Sequence, residues 1–522
     1  MITKFKNFED NFSLNKAAIT VAVLTVLSRF AGLLRDRLFA SNFGAGDMLD
    51  IYYAAFRIPD FVFNLLILGT LSVAFIPIFS EWLNKDKKFA YQIASTILNL
   101  SFLSMSAVCL FLFFAADLLT KLLVPGFDPE KFSQTVLLTR IFLISPIIFT
   151  LSSVFASILN ASKKFLISGI APILYNCGII FGLIFMYPKF GLSGLGLGVI
   201  LGAFLHLAIQ MAAAFALGFH WEPILNFKNL AVRKISRLFL PRIFGLDNSQ
   251  ISLLIGSVIG SGLASGSVAI FNLANNLQAV PLGIFAFSIS IASFPVLSKN
   301  FSKNEEENFS KNLLYSIVKI LFFLLPISIL MLVLRAHIVR LAFGSGKFDW
   351  SDTILTFRAL GVFSLSIFAQ GLSPLLARAF YARQNTIIPV VVGLFGMALN
   401  AVLAFFLGKA YGIVGVAGAF SIAAIFNCIV LFLFIRLKLV NFSDKILFSE
   451  IAKILFSSIA SGLSAYAVLY LINPLVNTHT GLGLLLQFIF SSVIALGIFF
   501  YTAYLQGLQQ AVYVFNFLKR KI

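Results

Sequence analysis

The chain has 522 residues, of which 60% are hydrophobic and 11% are charged, and its formal net charge is +19. A soluble globular protein carries about 25% charged residues, so this composition excludes a soluble fold. The lysines and arginines are scattered over many short loops instead of forming one patch, which argues against a nucleic-acid-binding surface. The composition therefore predicts an all-α polytopic membrane protein.

Apolar runs of the length that crosses a bilayer, about 20 residues, follow one another along the chain. Charged residues, prolines and glycines divide them into about fourteen predicted spans. An even number of spans places both ends of the chain on the same side of the membrane. The predicted spans are 17–40, 51–80, 91–119, 134–159, 165–187, 191–218, 243–262, 268–298, 312–334, 353–380, 386–408, 412–435, 450–472 and 482–506.

The distribution of positive charge predicts the orientation of these spans. With the N-terminus assigned to the cytoplasm, 23 of the 39 lysines and arginines fall inside, 7 outside and 9 within spans. Such an excess of positive charge in cytoplasmic loops is the positive-inside pattern. Both termini are therefore predicted to be cytoplasmic.

An internal repeat relates two parts of the sequence. The segment SVAFIPIFSEWLNKDKK resembles SIASFPVLSKNFSKNEE, with Pro77 matching Pro295, and FGLSGLGLG at Phe190 resembles YGIVGVAGA at Tyr411. Elements six helices apart keep the same orientation, so the pattern predicts two parallel six-helix bundles followed by two additional C-terminal helices. The predicted divisions are 1–220 for the first half, 221–242 for a cytoplasmic linker, 243–440 for the second half, and 441–522 for the last two helices with a basic tail.

Charged residues occur within the first predicted span. On a helix of 3.6 residues per turn, Arg29, Gly32, Arg35 and Asp36 fall within an arc of about 120°. Duplicated transporters bind their substrates near the bilayer midplane, at the interface of the repeats, and we expect this arc to face a cavity there. The alternative is that Arg35 and Asp36 form a structural pair at a helix end.

The second span carries a further polar stripe. Asp50, Arg57 and Asn64 recur every seven residues and so lie on one face. At the repeat offset of 218 residues, Asp50 and Arg57 correspond to Val268 and Asn275, so the repeated fold does not itself require these charges. An arginine at the centre of a span costs about 2.5–3.5 kcal/mol on insertion scales, and such residues are therefore candidates for function. The alternative for Arg57 is that it snorkels to the membrane surface.

Five segments of the sequence form a recognisable series. They are SRFAGLLRDRLFASNFGAGDMLDIYYAAFRIPDF, SQISLLIGSVIGSGLASGSV, PLGIFAFSISIASFPVLSK, FGSGKFDWSDT and ARAFYARQNTIIPV. Together they resemble the lipid II flippase (MurJ/MviN) family of the multidrug/oligosaccharidyl-lipid/polysaccharide exporter superfamily. The resemblance is colinear, covers both six-helix halves and is specific when the segments are taken together.

The resemblance implies a flippase that moves lipid II from the cytoplasmic to the outer leaflet by alternating access. The partner it implies is a polyprenyl-pyrophosphate-linked peptidoglycan precursor in the bacterial plasma (inner) membrane. Cavity arginines would receive the pyrophosphate, which guanidinium groups bind through paired hydrogen bonds. By motif, the implied site residues are Arg29, Arg35, Asp36, Asp50 and Arg57.

The sequence also departs from the family pattern. Phe63 and Asn64 stand where the family commonly has arginines, and Asn276 stands where an arginine precedes Pro281. Asn64 and Asn276 are therefore expected to bind polar head groups through neutral hydrogen bonds. Asn400 resembles a family position near a proposed sodium site, so either sodium or the membrane potential could drive transport.

Other functions remain open at this stage. One alternative is a flippase for another polyprenyl-pyrophosphate-linked oligosaccharide, and another is a cation-coupled drug antiporter of the same superfamily. A third is a scaffold for envelope synthesis that has no activity of its own. The four histidines show no metal-ligand spacing and no nucleophile motif occurs, so the sequence predicts a monomeric transporter with no cofactor and no enzymatic activity.

Overall fold

The structure is a computed structural model that describes residues 14–66, 71–226, 232–233, 235, 248–438, 444–478 and 480–519. Every regular element in this part of the chain is a helix, which confirms the predicted all-α fold. Close contacts divide the chain into two compact units, Met1–Phe39 with Asp47–Gly262 and Ala40–Gly46 with Leu263–Ile522. The predicted linker at 221–242 lies largely outside the described residues.

The first unit contains the N-terminal helices. Its hydrophobic core includes Phe75, Ile93 and Phe155, which are fully or almost fully buried. The last residues of its first helix, from Ala40 onward, group with the second unit. The helices are α1 (Leu14–Phe43), α2 (Asp47–Leu66), α3 (Leu71–Lys85), α4 (Lys87–Phe114), α5 (Ala116–Leu123), α6 (Pro129–Phe142), α7 (Ile144–Ala161), α8 (Phe165–Phe181), α9 (Tyr187–Phe190), α10 (Leu192–Ala216) and α11 (Asn248–Ser261).

The second unit contains the remaining helices. Contacts place α11 in the first unit, whereas the predicted second half begins ahead of it, at residue 243. The helices of the second unit are α12 (Ser267–Pro281), α13 (Ser288–Ser302), α14 (Glu306–Val333), α15 (Arg335–Phe343), α16 (Trp350–Ser364), α17 (Ile367–Ala382), α18 (Ile387–Lys438), α19 (Asp444–Ile472), α20 (Gly481–Leu505) and α21 (Gln509–Lys519).

The number of membrane-crossing helices differs from the predicted fourteen. Within the described residues, nine helices are long and apolar enough to cross a membrane, or ten if α16 and α17, which are bent by 45°, form one span. One of the nine is α18, whose 52 residues are interrupted at Gly412 by a non-helical backbone and correspond to two predicted spans. The polytopic architecture is confirmed, but the count of fourteen is not.

The elements of the two units follow the predicted repeat. Both α4 and α14 have 28 residues, and each is followed by a short helix of eight or nine residues. Asp128 caps α6 and Asp349 caps α16, each through its side chain. The matched glycines Gly191 and Gly412 have φ angles of +54° and +60°. This left-handed conformation favours glycine, so both halves need this residue where one helix turns into the next.

Glycines bring α8 and the following π-helical turn close to α10. A Cβ atom added to Gly178 would collide with the backbone of Gly202, and one added to Gly182 would collide with Gly198. Small residues four apart let helix backbones approach closely in membranes, where van der Waals packing is a main source of helix association. This packing fixes the position of α10 relative to α8.

The two additional C-terminal helices pack against other helices of the second unit. Helix α19 contacts both α14 and α20, and a Cβ atom added to Gly462 of α19 would collide with the side chain of Ile329. In α20, Gln487 accepts a hydrogen bond from Nε2 of His337 at 2.9 Å and donates one to the carbonyl of Leu469 at 2.9 Å. Polar contacts therefore join the last helices to the rest of this unit.

Candidate functional site

The charged face of α1 contains an ion pair between adjacent residues. Nε and Nη2 of Arg35 both donate to Oδ1 of Asp36, at 3.0 and 2.8 Å. Asp36 is only 3% exposed, whereas the Arg35 side chain is 20% exposed. A guanidinium group has five N–H donors, so this pair leaves three of them for another ligand. Asp36 fixes the orientation of Arg35 without using all of its donors.

The same face of α1 approaches α8 near Gly32. A Cβ atom added to Gly32 would lie 3.9 Å from Oδ1 of Asn176. This buried amide oxygen has no hydrogen-bond partner within the described residues, while Nδ2 of Asn176 donates to the carbonyl of Pro172 at 2.9 Å. Asn176 is thus a polar neighbour of the arginine face that the sequence did not reveal. Arg29 is exposed.

Asp50 lies at the start of α2 and has a partner from α6. Nζ of Lys131 lies 2.7 Å from Oδ2 of Asp50 and 2.6 Å from Oδ1 of Asp47, and it also lies 4.1 Å from the centre of the Phe127 ring. Lys131 is 8% exposed and Asp50 is 1% exposed. This geometry indicates that Asp50 helps to hold α2 against α6. A substrate contact by Asp50 stays a prediction.

The other two predicted residues of α2 also contact protein groups. Arg57 is 9% exposed, and its Nε donates to Oγ of Ser257 on α11 at 2.9 Å. Asn64 is half-buried, and its Nδ2 donates to the carbonyl of Asp60, one turn earlier, at 2.7 Å. Arg57 is therefore largely buried and is held against α11 by its bond to Ser257.

The second unit contains a chain of neutral polar side chains. Nε2 of Gln370 donates to Oε1 of Gln278 at 2.8 Å and to Oγ of Ser366 at 2.8 Å, and Ser366 donates to Ser421 at 3.1 Å. Gln278 in turn donates to Oδ1 of Asn275 at 3.0 Å. This network fixes the amide of Asn275.

The predicted residue Asn276 is adjacent to the end of this network. Asn276 lies on α12 and is half-buried. Its neighbour Asn275 occupies the position that the repeat pairs with Arg57, and the network orients it. The sequence pattern indicated Asn276 but not the glutamines and serines that orient Asn275, because these come from α12, α17 and α18 and are far apart in the chain. The head-group role of Asn276 stays a prediction.

Asn400 was the predicted sodium ligand. It is 1% exposed, and its Oδ1 has no partner within the part of the chain that the structure describes. Hard cations take several oxygen ligands, and the described residues contain no group of three His, Cys, Asp or Glu side chains that could hold a metal. The buried Oδ1 of Asn400 supplies one oxygen ligand, and sodium binding at this residue stays a prediction.

Comparisons with known proteins agree on one family. The family model for lipid II flippase MurJ matches residues 39–491. A probable lipid II flippase MurJ from Buchnera aphidicola subsp. Acyrthosiphon pisum is 31% identical over 425 residues, covering 80% of this chain and 83% of the relative. A probable lipid II flippase MurJ from Borreliella burgdorferi is 29% identical over 458 residues, covering 87% and 89%.

Solved structures show the same relationship at the level of the fold. A lipid II flippase MurJ in an inward closed conformation matches with a TM-score of 0.74 and 26% identity, covering 92% of this chain and 99% of that one. An inward-facing multidrug resistance transporter of the MATE family matches with a TM-score of 0.66 and 17% identity, covering 81% and 98%, which shows the fold alone. These findings confirm the resemblance seen in the sequence, and the chain belongs to the lipid II flippase MurJ family.

Proposed function

We propose that this chain is a lipid II flippase, which moves the lipid-linked peptidoglycan precursor from the inner to the outer leaflet of the bacterial plasma membrane by alternating access. The observation that carries the proposal is the family match over residues 39–491. The nine or ten apolar spans within the described residues are those expected of a multi-pass membrane protein. In this proposal the protein acts as a monomer, binds no nucleic acid and has no enzymatic activity.

The arginine face of α1 supplies the groups that would bind the substrate's pyrophosphate. Asp36 orients Arg35, which retains three N–H donors. Guanidinium groups remain charged in a low-dielectric site and bind phosphate oxygens through paired hydrogen bonds. Arg29 lies six residues earlier on the same helix and adds a second positive charge. These two arginines are the proposed phosphate-binding residues.

Transport by the purified protein tests this function. In vesicles containing fluorescent lipid II, we expect the purified protein to make lipid II of the inner leaflet accessible to a reagent added outside the vesicles. A polyprenyl-pyrophosphate carrying a different oligosaccharide should be flipped more slowly, and a cationic dye should not be moved. Preference for the other oligosaccharide would identify a different lipid-linked substrate. Movement of the dye alone would identify a drug exporter.

The proposed orientation has both termini in the cytoplasm. It rests on the split of 23 inside to 7 outside among lysines and arginines. Cysteine substitutions at Lys347 and at Lys163 lie on opposite sides in this topology. In intact cells, a membrane-impermeant thiol reagent should label Lys347→Cys and should not label Lys163→Cys. The reverse labelling would show that the orientation is inverted.

A further inference from the structure

The hydrogen-bond network of the second unit begins at a backbone carbonyl where two helices bend. Helices α16 and α17 meet at an angle of 45°, and just before the break the carbonyl of Val362 accepts a hydrogen bond from Oγ of Ser421 at 3.1 Å. The break is close to the middle of the bent pair, which would cross the membrane as one span. The network therefore starts near the depth at which transporters bind their substrates.

This carbonyl fixes the direction of the hydrogen bonds that follow. A carbonyl can only accept, so Ser421 donates to Val362 and accepts from Ser366, whose Oγ lies 3.1 Å away. Ser366 directs its proton to Ser421 and to the carbonyl of Phe363. Oγ of Ser366 therefore accepts at 2.8 Å from Gln370, and the group that donates must be the amide nitrogen Nε2.

Gln370 passes the same direction to α12. Its Nε2 also donates to Oε1 of Gln278 at 2.8 Å, so Nε2 of Gln278 donates to Oδ1 of Asn275 at 3.0 Å. The nitrogen and oxygen of an amide are assigned from such a network, and here each assignment follows from the carbonyl of Val362. Two end groups remain, Nδ2 of Asn275 as a donor and Oε1 of Gln370 as an acceptor. Neither has a protein partner within the described residues.

The two end groups are accessible, whereas the amide that joins them is buried. Gln278 is fully buried, and Asn275 and Gln370 are half-buried. Ten of the twelve residues in 267–278 are buried, and the two that are not are Asn275 and Asn276. This part of α12 is therefore accessible only at its asparagine amides.

The accessible face of α17 is also polar or small. After Gln370, the residues of this helix that are not buried are Ser373, Pro374, Ala377, Arg378 and Tyr381. They recur every three or four residues and so share one face with Gln370. A face towards lipid would carry leucine, isoleucine, valine or phenylalanine, and this one carries none of them. Polar residues within spans face the bundle interior or a water-filled cavity, so the end groups are accessible to a polar ligand.

We propose that Asn275 and Gln370 bind an uncharged sugar of the transported head group. A sugar hydroxyl or acetamido group can accept from Nδ2 of Asn275 and donate to Oε1 of Gln370, and the pair carries no net charge. A phosphate fits poorly, because its oxygens accept and Oε1 of Gln370 would repel them. Gln278 reaches no ligand and is a positioning residue. The site rests on the proposed function and adds a sugar contact to the pyrophosphate contact proposed for the arginines.

The sugar contact is tested by binding. Native mass spectrometry of the purified full chain compares polyprenyl pyrophosphate with the same lipid carrying a disaccharide and no peptide, so that the two probes differ only in the sugar. We expect the native protein to prefer the glycosylated lipid. A neutral hydrogen bond corresponds to about a twofold to tenfold change in affinity, so Asn275→Leu and Gln370→Met should each lower the preference by about that factor. Their affinity for the sugar-free lipid should be unchanged.

Gln506→Met is the matched control for Gln370→Met. Gln506 is half-buried like Gln370, and its Nε2 donates to Oγ of Ser457 at 2.8 Å, which is also the distance from Gln370 to Ser366. It lies outside the network, so this variant should retain the native preference. An equal loss of preference in Gln506→Met would overturn the assignment of the sugar to Gln370.

Gln278→Met tests the positioning role. Without Gln278 both end groups can rotate, so the preference for the glycosylated lipid should fall while the affinity for the sugar-free lipid stays. Gln210→Met is the control, because Gln210 of the first unit is 1% exposed and donates at 3.1 Å to Oγ of Ser152, which lies 2.7 Å from Nδ1 of His206. This control should keep the native preference. An unchanged preference in Gln278→Met would overturn the positioning role.

The outcomes separate the sugar site from the proposed function. Equal binding of the two lipids by the native protein, or a native preference in both Asn275→Leu and Gln370→Met, would overturn the sugar site. Equal loss of both lipids in these variants would also overturn it, because the network would then only stabilise the fold. Absence of lipid II flipping in vesicles would refute the proposed function, and the ratio of the two affinities would still decide whether a sugar binds at these amides.

Discussion

Arg35→Ala is expected to reduce lipid II flipping by about tenfold to a hundredfold, measured at equal amounts of protein in the membrane. Hydrogen bonds to charged groups contribute about 1.5–3 kcal/mol, and each 1.4 kcal/mol is about a factor of ten. Arg35 is held by Asp36 through Nε and Nη2, and its other donors are those proposed for the pyrophosphate. Removing the guanidinium removes these donors and the charge together.

Two further variants separate binding from stability. Arg35→Lys keeps the charge but lacks the planar fork, so it should restore flipping only in part. Arg37→Ala removes an exposed arginine two residues away and should flip at a rate close to that of the native protein. Normal flipping by Arg35→Ala would show that the Arg35–Asp36 pair is structural. Equal loss in Arg37→Ala would point to a general effect of positive charge on α1.

Lys131→Met is expected to destabilise the protein by about 3–5 kcal/mol, the range for removing one partner of a buried ion pair. Lys131 is 8% exposed and lies 2.7 Å from the carboxylate of Asp50, which is 1% exposed. Without the lysine, a buried carboxylate loses its cation. Thermal unfolding of the protein in detergent should show a lower melting temperature, with a lower yield of folded protein.

The double variant Lys131→Met with Asp50→Asn tests the pair directly. It should recover part of the lost stability, because the neutral amide no longer needs a cation. Asp47→Asn should have a small effect, since the Asp47 side chain is 59% exposed and exposed pairs contribute about 0–1 kcal/mol. Lys121→Met removes an exposed lysine and serves as the control. Unchanged stability in Lys131→Met, together with lost flipping, would assign Asp50 and Lys131 to transport instead.

The sequence by itself determined the class of fold, the repeat and the family. Long apolar runs form helices in a membrane because backbone groups have no water to bond there, so this property is local and readable from composition. The repeat could also be read directly from the sequence. Its matched residues Gly191 and Gly412 adopt the same backbone conformation. The number of spans was less readable, because a 52-residue helical segment is divided only by the turn at Gly412 and α16 bends into α17.

Only the tertiary structure decided which side chains meet. Spacing placed Asp50 and Arg57 on one stripe of α2, but their partners Lys131 and Ser257 are 81 and 200 residues away. The Ser152–His206 contact joins residues 54 positions apart. A helix fixes the direction of each side chain relative to its own axis, whereas the residue opposite depends on how close and at what rotation another helix packs. Here glycines such as Gly202 set that approach for α10, and no pattern within a single helix contains this information.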